Sequence, residues 1–169
     1  MRHVLTILLV WLADMAAYAQ SEDDFASRFM QSFENDTTVV CVTVSPKMME
    51  QLTDHPKVKD NEDVKEALKK LKGLRVIKAD SEGQAYYGMA TELLEGNKGR
   101  FEHVTGYADS NVRVDFYARA DSNGETEELI MLHASLPDDK LQILDLTGDL
   151  DEEFIDVVTK YFAAKPLEI

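Results

Sequence analysis

The stretch "LQILDLTGDLDEEFIDVVTKYF", residues 141–162, decides the fold. Leu141, Ile143 and Leu144 are strand-like and Thr147-Gly148 makes a turn. Leu150, Phe154, Val157, Val158 and Tyr161 then recur at helical spacing. A strand that hands over to an amphipathic helix needs a sheet for that helix to cover. Asp149 with Glu152 three residues on has the spacing of a capping box, which predicts Asp149 as the helix cap and Glu152 as its reciprocal partner. Asp151 and Glu153 lie beside them at the positive end of the helix, where carboxylates are stabilised. The competing use of this elbow is a cation site made of Asp145, Asp149 and Asp151. Its spacing does not match an EF-hand loop, and carboxylates in a first helical turn splay apart. The expectation is therefore a cap, with no metal and no cofactor.

Outward from that stretch toward the N-terminus, the hydrophobic period stays at two. Residues 101–108, 112–119, 128–136 and 140–147 read as four strands joined by the polar turns "DSN", "DSNGETE" and "PDD". The run Asp121-Ser122-Asn123-Gly124-Glu125 has a calcium-like look, but Asn-Gly between two strands is first a hairpin turn. Four strands in succession make an antiparallel meander, and the flanking helices are the available cover for one of its faces.

Before Gly99 the period is helical with two strands interposed. A helix is predicted over 22–34 from Phe25, Phe29, Met30 and Phe33, a strand over 38–44, and a helix opened by Ser45 and Pro46. From Asn61, Val64, Ala67, Leu68 and Leu71 form one face, with Gly73 as the stop. "LRVIKAD" is the next strand, and Ser81 with Gln84 has capping-box spacing for a helix that runs to about Glu95. The expected class is α+β: a largely antiparallel sheet packed against amphipathic helices.

The first residues point to export. Met1, Arg2 and His3 precede the apolar run "VLTILLVWLA", and Ala17-Tyr18-Ala19 supplies a signal-peptidase site, so residues 1–19 are expected to be cleaved between Ala19 and Gln20. That leaves residues 20–169 as one α+β domain. The apolar run is shorter than a bilayer span of about 20 residues, so no transmembrane segment is expected after processing. The mature protein is expected to be soluble, and periplasmic or secreted. The chain carries a formal net charge of −14, which argues against nucleic acid and anionic membranes as partners. The lone cysteine, Cys41, sits in "TTVVCVTV" and reads as a buried small hydrophobe.

Catalytic patterns are sparse. His55, His103 and His133 fall in no spaced metal motif, and no nucleophile elbow or phosphate loop occurs. No catalytic or cofactor-binding residue is assigned. Tyr86 reads as apolar-facing and Tyr87 as exposed. Met48 and Met49 read as core filling. Asp36-Thr37-Thr38 spells a possible O-glycosylation acceptor centred on Thr37, in a link expected to be exposed.

The residues "LKGLRVIKAD" (71–80), "VRVDFYARADSNGETEELIMLHA" (112–134) and the opening stretch together resemble domain of unknown function 4252, a family of small exported proteins found largely in the Bacteroidota. The resemblance implies export and this strand–turn–helix layout. Many relatives carry a lipid-bearing cysteine after the signal, where this chain has Gln20. With the chemistry missing, the function expected is a non-enzymatic module that binds an envelope protein through a sheet face or edge strand. The alternative is a hydrolase-like enzyme using a carboxylate with His103 or His133.

Overall fold

The computed structural model describes residues 24–33, 37–54, 61–96 and 100–164. The expected signal segment with its cleavage position at Ala19 and Gln20, Asp36 of the expected glycosylation acceptor, and His55 lie outside the described residues. The chain divides into two units, Met1–Asp36 and Thr37–Ile169. In the first, α1 (Phe25–Gln31) starts later than the hydrophobic period suggested, because the Asp24 carboxylate accepts from the Ser27 N–H at 2.8 Å and fixes the helix start there. Its phenylalanines stack along one side, with the Phe25 and Phe29 ring centroids 5.8 Å apart.

The second unit runs β1 (Val39–Val44), α2 (Pro46–Thr53), α3 (Glu62–Lys70), β2 (Leu71–Ala79), α4 (Gly83–Gly96), β3 (Glu102–Ala108), β4 (Val112–Ala120), β5 (Thr126–Ser135), β6 (Lys140–Gly148) and α5 (Glu152–Ala164). The strands form one open sheet in the order β1-β2-β6-β5-β4-β3, antiparallel throughout. The predicted meander is present as β3 to β6, and the α+β class holds. Among the described residues no helix is long and apolar enough to cross a membrane.

Alternation along the strands sorts their side chains onto two faces. On one, Leu74, Val114, Phe116, Leu129, Met131, Leu144 and Leu146 form a core with Met49 of α2, Ala67 of α3, and Leu150, Phe154 and Val158 at the start of and along α5. The other face carries Ile77, Ile130, Leu132 and Ile143 and is crossed by α4, which packs against β5 and β6. Both faces of the sheet are thus covered at β5 and β6, where cover of one was expected. That is why Leu129, Ile130, Met131 and Leu132 in β5 are apolar without a break: each is fully buried, a contribution of about 1.5–3 kcal/mol per side chain.

Three local expectations are corrected. Leu71 and Gly73 do not end a helix. The chain passes from α3 into β2 without a loop, with an irregular register at Leu71/Gly73, and a Cβ on Gly73 would collide with the Thr147 hydroxyl on β6. Gly73 is there for close strand approach. Ser81 does not cap α4: the Asp139 carboxylate, from the turn before β6, accepts from the Gln84 N–H at 2.9 Å, and Glu82 takes a left-handed φ of 55° to admit it. Asp149 does not cap α5 either. Asp151 does, accepting from the Phe154 N–H at 2.9 Å, while the Asp149 N–H bonds the Lys70 carbonyl at 3.1 Å. Glu152 becomes the first helical residue, too early to close a capping box.

Candidate functional site

Strand β4 places Arg113, Asp115 and Tyr117 in a row on the face crossed by α4, since alternate residues share a face. Strand β3 pairs beside it with a bulge between His103 and Thr105. The register therefore sets His103 opposite Tyr117 and Gly106 opposite Asp115. Gly106 is required at that point, because a Cβ would collide with Oδ1 of Asp115.

Asp115 is the centre of the cluster and is buried. Its carboxylate accepts from the Tyr87 hydroxyl of α4, from His103 Nε2 at 2.7 Å and from Arg113 Nε at 3.1 Å. The Arg113 guanidinium lies 4.6 Å over the Tyr87 ring, and the His103 ring meets Tyr117 edge-on at 5.1 Å. Burial pushes the Asp115 carboxyl up, but the hydrogen bonds from Tyr87, His103 and Arg113 outweigh it and hold the group below the usual carboxylate range. Burial, and then the bond to Asp115, push the Tyr87 phenol well above its ordinary value. An ionised Asp115 selects the Nε2–H tautomer of His103, whose side chain is half-exposed.

Sequence reasoning named His103 but not its partners. Tyr87, read as exposed, is buried, as is Tyr86. Asp115 sits between apolar residues in "VRVDFYARA", and a carboxylate inside a strand with arginines on both sides was the available signal. The second histidine is elsewhere. His133, on the opposite face of β5 between Val114 and Gln142, is buried, and desolvation lowers its pKa. The two histidines are not brought together.

The other residues singled out are placed as follows. Asp121 spends its carboxylate on the turn, accepting from the Asn123 and Glu125 N–H groups at 2.7 and 3.0 Å. Asp145 is buried in β6, in register with Arg75 and Ile130, while Asp151 caps α5 and binds Lys70 Nζ at 2.7 Å. Among the described residues no three His, Cys, Asp or Glu side chains are grouped to hold a metal ion. Cys41 is half-buried in β1, Met49 is in the core, and Met48 is exposed. Thr37 is exposed.

Two surfaces remain. An open groove of about 580 Å³ runs between β3 and α5, lined by Val104, Val157 and the charged Glu153, Asp156 and Lys160. Neither His103 nor His133 lines it. The sheet also ends in two unlike edge strands. Every residue of β3 is exposed, but it carries Glu102 and is broken by its bulge. β1, "VVCVTV", pairs with β2 in unbroken register, has no charge, and leaves Val40 and Val42 54% and 47% exposed.

Fold and site together define an open-edged antiparallel α+β protein with a carboxylate–histidine pair beside one edge and an apolar strand at the other. The chain belongs to the family described as Domain of unknown function (DUF4252), whose model matches residues 33–157. Comparison with curated proteins gives no match.

Proposed function

We propose that this is an exported envelope protein, non-enzymatic, that binds a partner polypeptide by pairing it with the β1 edge. One observation carries the reading: β1 is unbulged, uncharged and bears two exposed valines. Sheets that must avoid pairing blunt their edges with bulges, charge or proline, and β3 shows the bulge and the charge while β1 shows neither. An edge of this kind offers backbone N–H and C=O groups to an extended segment. The export part rests on the basic start, the apolar run and the A-x-A site. The test is a photoreactive residue placed at position 42 in cells that export the protein, with position 69 on α3 as control. One stoichiometric adduct from position 42 alone is expected; no adduct, or the same adducts from both positions, overturns the reading.

A second reading is favoured by the 2.7 Å contact between His103 and Asp115, which orients an imidazole as a general base toward water, as a hydrolase requires. Among the described residues no hydroxyl or thiol bonds to His103, so water would be the nucleophile. Hydrolysis of a chromogenic ester or phosphate lost in His103→Ala and in Asp115→Asn would establish it.

A further inference from the structure

His133 can take up a proton near neutral pH, yet it is buried where a charge has no answer. It lies on the face of β5 away from α4, between Val114 of β4 and Gln142 of β6, and is 8% exposed. Val114 and Met131, its neighbours on that face, belong to the core closed by Met49 of α2, Ala67 of α3 and Phe154 of α5, so the helix residues packed there are apolar. The ring's polar contact is with the backbone of His133 itself, and among the described residues no side chain bonds it. The charged groups next out along this face are Lys78, beyond Gln142, and Lys140, opposite Ser135, both of them cations. The nearby carboxylates are engaged: Asp138 accepts from the Ser135 hydroxyl at 3.1 Å, and Asp109 accepts from the Tyr107 hydroxyl at 2.8 Å and from the Asn111 and Val112 N–H groups. A proton added to His133 thus places an uncompensated charge in a desolvated layer.

We propose that His133 is an acid-sensitive latch: protonated, it loosens α2, α3 and α5 from the sheet, while α4 on the other face stays packed. The latch is independent of the β1 edge and of the His103–Asp115 pair. Desolvation lowers the pKa of His133. Its contribution to stability is therefore complete above the unfolded value of about 6.5 and is lost as pH falls below that toward the lower folded value. The rest of the molecule responds with the opposite sign. Acid reduces the net charge of −14 and so relieves self-repulsion, and a protonated His103 would pair with the Asp115 carboxylate 2.7 Å away. A loss of stability on mild acidification is thus a mark of His133.

The experiment takes the purified protein from about pH 7.5 to about pH 5 at fixed ionic strength and reads thermal melting, amide-exchange protection factors and imidazole chemical shifts. The wild type is expected to melt a few degrees lower at the acid end, with protection falling in α2, α3 and α5 before it falls in α4. His133→Gln, which keeps a polar side chain without a titrating ring, should remove the fall, and His103→Gln should leave it in place. A wild type that holds or gains stability in acid, or an equal fall in His133→Gln, overturns the latch. Protection lost from α4 together with the other helices overturns it too, because that is global unfolding. If His133→Gln does not fold, the wild-type ring decides the matter. Titration of His133 at lower pH than the histidines of the urea-unfolded chain, together with the same order of protection loss, upholds the latch, and titration at the same pH overturns it.

Discussion

At the scale of single residues the most informative group is Asp115, because one buried carboxylate collects a phenol, an imidazole and a guanidinium. Removing the Tyr87 hydroxyl leaves that charge with one donor fewer, so Tyr87→Phe should cost about 1–3 kcal/mol by urea denaturation. Gly106→Ala should be at least as harmful, since the methyl meets a carboxylate tied by three hydrogen bonds and unable to swing aside. The pH dependence follows from the lowered Asp115 pKa. Its contribution is complete above the unfolded value of about 3.9 and is lost as pH falls through the lower folded value. The acid limb of a stability–pH curve should therefore be shallower in Asp115→Asn than in the wild type. The cap of α5 is tested in the same way. Asp151→Ala should lower the melting temperature by roughly 3 °C, by losing its bond to the Phe154 N–H, and Asp149→Ala should scarcely change it.

At the scale of elements, pattern was legible and junctions were not. The alternation that marks β3, β4 and β6, the Asn123-Gly124 hairpin and the apolar face of α5 are local signals, and each element stands where its period placed it. The start of α4 was not legible, because its cap is Asp139, 55 residues downstream of Gln84. The end of α3 was misread because Gly73 answers to Thr147 across the sheet and not to its own helix. The candidate site failed in sequence for the same reason: His103, Asp115 and Tyr87 meet only through strand register and helix placement. Register also places a further buried carboxylate. Glu128, fully buried on β5, faces Arg119 of β4, whose Nε lies 2.7 Å from Glu128 Oε2. Arg119→Ala should cost about 1–3 kcal/mol, read by thermal or urea denaturation, since it removes the guanidinium donor from that buried charge. Val42→Lys, on an exposed position, should stay within about 0.5 kcal/mol of wild type yet abolish the position-specific adduct when the photoreactive group is moved to position 40.

At the scale of the whole molecule, the protein is an acidic chain with one uncharged edge strand. The net charge of −14 makes it repel itself, so sodium chloride should raise its melting temperature by screening, and calcium at matched ionic strength should add nothing further. A saturable calcium increment would return the acidic elbow at Asp149 and Asp151 to contention as a binding site. Export predicts that the mature chain begins at Gln20, and an intact mass retaining residues 1–19 would contradict it. The same spectrum reads whether Thr37 carries added sugar mass. The central claim concerns β1, and amide hydrogen exchange of the protein alone and in the complex captured at position 42 tests it most directly. Pairing with a partner strand predicts that the outward-facing amides of β1 exchange freely in the isolated protein and are protected in the complex, with β3 unchanged. Exchange at β1 as fast in the complex as in the free protein would contradict it.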